Sequence, residues 1–369
     1  MNDSLPFISG KQLSQQFYQE VVRPLLDIRF PELRHAAALI DSGSEVLGFD
    51  DAMSTDHHWG PRLLLFLDEA DHTRHAQAIH DTLALQLPYE FKGYPTNFTP
   101  PLAEEGVTQL LQPISEGPIN HRVTVHTLPG FIRAYLNFDL SRPLELADWL
   151  TFPEQKLRTL TTGPVFYDAL GLEQVRGRFH YYPHDVWLYQ LASAWTRISQ
   201  EEHLMGRAGL AGDELGSALI GARLVRDIMR LWFLMHRTYA PYPKWFGTAF
   251  KQLPGATELE PLLRQALHAE TWPERENYLV PAYETLATRH NELALTEPVA
   301  TNVVPYFNRP FRVITFNGVI GALEGQIEDE AVKNLLLRPR IGSIDLFSDS
   351  TDILSYEEWR LRLRVLYEE

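Results

Sequence analysis

Residues 41–67 read DSGSEVLGFDDAMSTDHHWGPRLLLFL, and this stretch carries the clearest indication of fold in the chain. The Gly43-Ser44 pair predicts a tight turn. Asp56 and His58 follow after eleven intervening residues, just before the apolar run RLLLFL (62–67). That run is bounded by Pro61 and by acids, which is typical of a short buried strand. If positions 56 and 58 are extended, their side chains point the same way, because the strand period is two.

Phosphate chemistry needs the features that this stretch combines. A small turn lets backbone N–H groups and a hydroxyl approach a triphosphate closely. Hard oxygen ligands hold Mg²⁺, which neutralises the charge that develops on a transferred phosphoryl group. Asp56 and His58 would form one metal site close to the Gly-Ser turn. The alternatives are a plain turn at Gly43-Ser44, a helix or turn cap at Asp56 and a hydrogen-bonded histidine at position 58.

The rest of the chain changes character near its middle. The spacing of apolar residues predicts helices over 11–28 and 71–87, and strands in AAALI (36–40), HRVTVHTL (121–128) and PVFYDALG (164–171). From about 183 to 297 the segments are long and amphipathic, with prolines between them. We therefore expect an α+β chain in which a mixed sheet with helices precedes a helical bundle. The predicted domains are 1–172, 173–297 and a C-terminal extension, 298–369.

Composition excludes several classes of function. The chain has 369 residues, with 33 Lys+Arg against 48 Asp+Glu and a net charge of −15, which disfavours binding to duplex nucleic acid without excluding a local basic pocket. The absence of cysteine rules out disulfides, thiolate metal sites and a cysteine nucleophile. The N-terminus lacks the pattern of a signal peptide, and no apolar run approaches the ~18 residues of a membrane span. A soluble, cytoplasmic protein with no membrane partner and no nucleic-acid partner is the expectation.

The Gly-Ser turn followed by an acid-x-acid position at a strand resembles the nucleotidyltransferase superfamily, the DNA-polymerase-beta-like fold. More narrowly, the chain resembles a bacterial family of that superfamily known only as a domain of unknown function. The stretches that carry the narrower resemblance are DHHWGPRLLLFL (56–67), YYPHDVWLYQLASAW (181–195), RISQEEHLMGRAG (197–209), ARLVRDIMRLWFL (222–234), YAPYPKWFGTAF (239–250), RPFRV (309–313) and IGSIDLFSDSTDIL (341–354).

The resemblance implies a mechanism and a set of roles. A substrate hydroxyl attacks the α-phosphate of ATP or another nucleoside triphosphate, pyrophosphate leaves, and metal ions (Mg²⁺ or Mn²⁺) bridge carboxylates and phosphates. Carried over, Gly43 and Ser44 bind phosphate, and Asp56 with His58 binds metal and acts in catalysis. His58 stands where the family pattern usually has a second acid. Imidazole suits Mn²⁺ or Zn²⁺ better than Mg²⁺ and brings no negative charge.

A third acid of the superfamily usually lies on a later strand, here RVTVHTL. That strand has Thr124 and His126 but no acid. Asp168, at the end of PVFYD, is a second candidate for the missing carboxylate. Its alternative interpretation is a turn-initiating aspartate before Leu-Gly.

Three basic residues are further candidates for nucleotide binding. Arg62 begins the apolar strand and would grip a phosphate, unless it is a solvated arginine at the strand edge. Arg226 belongs to a stripe of arginines in an apolar helix, and charges in such a helix need partners. Those partners are either local acidic residues or an anionic ligand such as a triphosphate. Lys244 follows two prolines on a rigid loop.

Two main interpretations of function remain open. The first is a metal-dependent enzyme that transfers a nucleoside monophosphate, AMP by preference, to a hydroxyl of a small molecule or a protein. The second is a catalytically degenerate nucleotidyltransferase fold that acts as a nucleotide-binding, regulatory or toxin–antitoxin-type module. The sequence does not name the acceptor.

Overall fold

The structure, a computed structural model, describes residues 7–56, 59–101 and 108–368. It divides into two compact units, and neither is one continuous piece of chain. The first comprises residues 1–143 and 156–180, and the second comprises residues 144–155 and 181–369. The predicted α+β class, with a mixed sheet and many helices, is confirmed. The predicted boundary between 172 and 173 falls within the first unit, and the predicted extension 298–369 falls within the second.

The helices are numbered in chain order. They are α1 (Gly10–Phe17), α2 (Arg23–Arg29), α3 (Ser44–Leu47), α4 (Glu69–Gln86), α5 (Leu128–Leu136), α6 (Leu146–Thr151), α7 (Glu154–Thr162), α8 (Leu172–Gly177), α9 (His184–Leu210), α10 (Glu214–Met235), α11 (Pro243–Lys251), α12 (Ala256–His268), α13 (Trp272–Glu292), α14 (Val319–Glu324), α15 (Glu330–Leu336), α16 (Ile344–Phe347), α17 (Thr351–Ser355) and α18 (Glu358–Leu363).

The strands are short. They are β1 (Ala36–Ala38), β2 (Arg62–Leu67), β3 (Glu90–Phe91), β4 (Tyr94–Pro95), β5 (Arg122–Thr127), β6 (Val165–Asp168), β7 (Val304–Pro305) and β8 (Arg312–Val313).

A mixed four-stranded sheet in the order β5-β2-β1-β6 forms the centre of the first unit. β1 pairs antiparallel with β2 and with β6, whereas β2 pairs parallel with β5. Every residue of β2 is buried, as its unbroken apolar sequence predicts. Because β1 and β2 are antiparallel, the end of β1 and the start of β2 lie at the same end of the sheet.

One face of this sheet is covered by helices. The helix predicted over 11–28 is confirmed as α1, a π-turn (Tyr18–Val22) and α2. Its apolar side chains pack with those of α4 and with alternate residues of the strands. The fully buried members of this core include Leu13, Phe17, Ala37, Leu65 and Ile79. Burying each large side chain contributes about 1.5–3 kcal/mol.

Long helices form the second unit. α9 packs along α10, and α12 packs along α13. Two glycines of α9 permit close approach, because a Cβ on Gly209 would lie 2.4 Å from the Trp272 side chain and one on Gly206 would lie 2.6 Å from Phe311. Among the described residues, no helix is both long enough and apolar enough to cross a bilayer.

Candidate functional site

The Gly43-Ser44 turn lies at the end of the sheet where β1 ends and β2 begins. Gly43 precedes the short helix α3, and its φ of 151° and its surroundings both require glycine. A Cβ at this position would lie 2.6 Å from Arg62 Nη2 and 2.6 Å from Glu45 Oε2. The turn predicted from the sequence is therefore present, and its second residue, Ser44, begins the helix α3.

Arg62 holds this turn from the first position of β2. Its Nη1 donates to both carboxylate oxygens of Asp41, at 2.7 and 2.9 Å. Its Nε donates to Glu45 Oε1 at 2.8 Å, and its Nη2 donates to the same oxygen at 2.5 Å. Nη2 also donates to the Ser42 carbonyl oxygen at 2.7 Å. The guanidinium is buried and fully engaged by the protein, so the structure supports a positioning role for Arg62 rather than direct contact with a phosphate.

The charges around Arg62 are strongly coupled. Burial alone would lower the pKa of Arg62, but the carboxylates of Asp41 and Glu45 raise it above its ordinary value. The neighbouring strand places Arg122 in register with Arg62. Burial, and then the positive charge of Arg62, lower the pKa of Arg122 to about 10. Two guanidiniums and two carboxylates thus meet at this end of the sheet.

Asp56 lies where the chain approaches β2, but it is not extended. It is the last residue of a 3-10 helix (Ala52–Asp56) that is started by Asp51, whose carboxylate accepts the N–H groups of Met53 and Ser54. The expectation that positions 56 and 58 share the period of a strand is therefore wrong at Asp56. His58 and the side chain of Asp56 lie outside the described part of the structure.

Strand β5 presents no carboxylate on the face that Arg122 shares with Thr124 and His126. Thr124 Oγ1 and His126 Nε2 lie 3.0 Å apart, within hydrogen-bonding distance. The His126 ring also lies edge-on to Phe131, and burial lowers its pKa. The sequence observation that this strand lacks a third acid therefore holds for the folded sheet.

Asp168 serves as a cap. Its Oδ1 accepts the backbone N–H groups of Leu170, Gly171 and Leu172, and its Oδ2 accepts that of Glu173, at 2.9–3.0 Å. Partial burial alone would raise the pKa of Asp168, but these four donors lower it. Asp168 also pairs with Ala36, at the start of β1, whereas the Gly-Ser turn follows the end of that strand. The structure therefore does not bring Asp168 to the turn, and its carboxylate makes the backbone contacts that the turn-initiating alternative predicts.

The remaining two candidates belong to the second unit. Arg226 donates to Asp349 Oδ1 at 2.5 Å and to Asp227 Oδ1 at 3.1 Å, so the predicted alternative of local acidic partners is present. Lys244 is exposed near the start of α11, with its Nζ 5.0 Å from the centre of the Trp245 ring. Gly43, Ser44 and Arg62 lie in the first unit, so the five predicted nucleotide-binding residues are divided between the two units.

Two residues of the site were missed from the sequence. Asp41 and Glu45 flank the Gly-Ser turn in DSGSE, and the available signal was the pair of acids on either side of it. Both carboxylates are held by Arg62. Within the described ranges, no group of three histidines or acids is placed to hold a metal ion.

One family model and one solved structure match parts of this chain. The model of a domain of unknown function, DUF4037, matches residues 149–246, which is less than half of the chain and does not include Gly43, Ser44 or Asp56. A comparison with curated proteins finds no match. Among solved structures, the chain is similar to a nucleotidyltransferase-like protein from Exiguobacterium sibiricum 255-15, with 11% identity, 82% of this chain and 97% of that chain covered, and a TM-score of 0.29. A TM-score of this size does not establish a shared fold.

Proposed function

We propose that the chain is a metal-dependent nucleotidyltransferase that transfers a nucleoside monophosphate, with AMP the first candidate, to a hydroxyl of a small molecule or a protein. Gly43 and Ser44 would bind the triphosphate through the turn. Asp56 and His58 would bind the metal ion. Lys244 and Arg226 stay secondary candidates for phosphate contacts.

One observation carries this proposal. Arg62, the first residue of β2, donates to Ser42 and to Glu45 on either side of the Gly-Ser pair and so holds the turn at the end of the sheet where β2 begins. In the sequence, Asp56 and His58 come shortly before that strand. Backbone N–H groups of a glycine-containing turn and a nearby hard ligand are what a triphosphate with its metal ion requires.

The available donors fit a metal bound jointly with the substrate. Mg²⁺ usually keeps several waters and takes one or two carboxylates with substrate phosphates, rather than a cage made of protein alone. Asp56 would supply the carboxylate and His58 an imidazole, a set that favours Mn²⁺ over Mg²⁺. Asp41 and Glu45 are less suitable because the Arg62 guanidinium already donates to both carboxylates.

A second candidate function has its own support. The face of β5 that includes Arg122 also includes Thr124 and His126, and none of these residues is an acid. A fold that lacks one carboxylate can still hold a nucleotide through the turn while failing to catalyse transfer. A nucleotide-binding or regulatory module is therefore the alternative proposal.

Calorimetric and thermal titrations of ATP, GTP, CTP and UTP, each with Mg²⁺ or Mn²⁺, test both proposals. At a hundredfold excess over Kd, a bound ligand should stabilise the fold by about 2.7 kcal/mol. The enzyme proposal expects this stabilisation to require the metal and to be lost in Asp56→Ala. Asp81→Ala is the matched control, because it removes one exposed carboxylate on α4 without altering the turn.

The outcomes separate the two proposals. Stabilisation by a triphosphate that needs neither metal nor Asp56 favours the binding module, as does metal-dependent binding without pyrophosphate release in an acceptor screen. If no triphosphate stabilises the protein with either metal ion, both proposals fail.

A further inference from the structure

Three aromatic rings form a cluster at the surface of the second unit. Tyr306 and Phe307 follow β7, and Phe316 lies in a 3-10 helix (Thr315–Asn317) after β8. Their ring centres are 4.9 Å apart for Tyr306 and Phe307, 5.3 Å for Phe307 and Phe316, and 5.7 Å for Tyr306 and Phe316. Phe307 is 72% exposed and Phe316 is 49% exposed. Tyr306 is half-buried, and its ring also stacks on that of His203 with 4.3 Å between the ring centres. Phe307 and Phe316 leave much of their surface in solvent, so core packing does not explain these two rings.

The backbone holds Phe307 in this exposed position at a cost. Its φ is 53°, in the left-handed region that a bulky side chain rarely adopts. The surrounding loop is closed by the N–H of Tyr306, which donates to the Phe311 carbonyl oxygen at 2.7 Å, and by the N–H of Arg309, which donates to the Tyr306 carbonyl oxygen at 3.0 Å. Such conformations persist where the surroundings enforce them, and they concentrate at functional sites.

Two arginines line a groove beside this aromatic cluster. Arg207, in the last turn of α9, and Arg309 border a space of about 600 Å³ together with Tyr306 and Phe307. Both side chains are exposed, and neither has a carboxylate partner in the part of the chain that the structure describes. None of the lining residues that the structure describes is acidic. In a chain of net charge −15, this surface is a local reversal of sign.

We propose that this aromatic–arginine surface, made of Arg207, Tyr306, Phe307, Arg309 and Phe316, binds single-stranded nucleic acid. Unpaired bases stack on exposed aromatic rings, and guanidinium groups bind the phosphates between them. A duplex hides its base faces and meets the overall negative charge, so it should bind poorly. A groove for a peptide helix is normally lined by aliphatic side chains, whereas Leu210 is the single long aliphatic side chain among the described lining residues. The inference does not depend on the nucleotidyl-transfer proposal.

Fluorescence anisotropy with the full chain tests this inference. The probes are labelled single-stranded RNA and single-stranded DNA of mixed sequence, about 12 nucleotides long, and a duplex of the same sequence. We expect both single strands to bind more tightly than the duplex, and a difference between RNA and DNA would show which sugar the surface prefers. Phe307→Ala should weaken binding by about fivefold or more, since one stacked base is lost. Arg207→Gln and Arg309→Gln should each lower the slope of log K against log salt by about 0.7.

Matched controls separate recognition from folding. Leu337→Ala removes another exposed apolar side chain of the same unit, and Arg362→Gln removes another exposed arginine; both should bind like wild type. Phe307→Gly removes the ring and relieves the left-handed backbone, so it should melt no lower than wild type while binding poorly. Absence of binding up to about 100 μM overturns the inference, as does a duplex bound equally tightly or an unchanged affinity in Phe307→Ala. If acidic peptides bind and the oligonucleotides do not, the surface is a protein-docking site and the inference is wrong.

Discussion

Replacement of Arg62 by methionine should destabilise the first unit strongly. The change removes a guanidinium that donates to Asp41, Glu45 and the Ser42 carbonyl oxygen, while methionine keeps a comparable apolar length. The carboxylate of Glu45 would remain buried, with 4% of its side chain exposed, and would lose the guanidinium that donates to it. Arg122, on the neighbouring strand, would be the remaining positive charge near it. Asp41 is 22% exposed and can be hydrated in part.

The expected loss follows from that difference in burial. Removing one partner of a buried ion pair costs about 3–5 kcal/mol, because the other charge is left uncompensated. We assign most of this loss to Glu45. The double variant Arg62→Met/Glu45→Gln should recover much of it, because no buried charge then lacks a partner. Arg62→Lys should be intermediate, since one ammonium cannot reproduce the planar set of donors.

Trp59 offers a local probe for the measurement. Of the eight tryptophans, it is the one that belongs to the first unit, and it is 1% exposed. Urea unfolding of protein labelled with 5-fluorotryptophan, followed through the ¹⁹F resonance of Trp59, therefore reports on this unit alone. The resonance is assigned with Trp59→Phe.

The control is a pair that is mostly in solvent. Arg133 lies 3.3 Å from Asp139 and is 63% exposed, so Arg133→Met should leave the free energy of unfolding close to that of wild type. The reasoning is refuted if Arg62→Met unfolds within about 1 kcal/mol of wild type, or if the double variant is less stable than Arg62→Met.

Three further substitutions test other parts of the structure. Gly43→Ala should destabilise the first unit by about 1–3 kcal/mol, because its Cβ would clash with the Arg62 and Glu45 side chains; the Trp59 resonance measures this. Asp168→Ala should cost about 1–2 kcal/mol through loss of the α8 cap, and nucleotide binding should be unchanged in the same titrations as above. Burial raises the pKa of Glu202 from 4.5 to about 7, so the protonated Glu202 should contribute about 3 kcal/mol of stability that is lost as pH rises between these values. Glu202→Gln should remove this part of the pH dependence in urea unfolding at pH 5 and pH 8, while the buried Glu154, whose pKa is also raised to about 7, keeps its own part.

The strands of the four-stranded sheet were predictable from the sequence. β2, β5 and β6 lie within the stretches that their apolar or β-branched residues indicated, because burial of a strand imposes a pattern that can be read locally. β1 is shorter than AAALI suggested, and the apolar residues that follow Gly43 form the helix α3 (Ser44–Leu47). Such short apolar stretches fit either a strand or a helix, and their partners in the fold decide between them.

The candidate site was predictable only where its features are local. The Gly43-Ser44 turn and the alternative role of Asp168 depend on neighbours within a few residues, and both were anticipated. Arg62 lies on a different element from Asp41 and Glu45. The distance in sequence between Arg62 and these acids does not indicate that they form ion pairs. Asp56 was expected in extended structure because RLLLFL follows it, but Asp51 caps a 3-10 helix that ends at Asp56.

The order of the sheet has a consequence for biosynthesis. β1 lies between β2 and β6, yet β6 belongs to residues 165–168, after a segment (144–155) that the chain contributes to the second unit. Until the ribosome has released that strand, one edge of the three-alanine strand β1 has no hydrogen-bonding partner and is open to pairing with another nascent chain. A fragment that stops at residue 143 would keep that edge permanently. Such a fragment should aggregate, whereas one extended through residue 180 can complete the sheet.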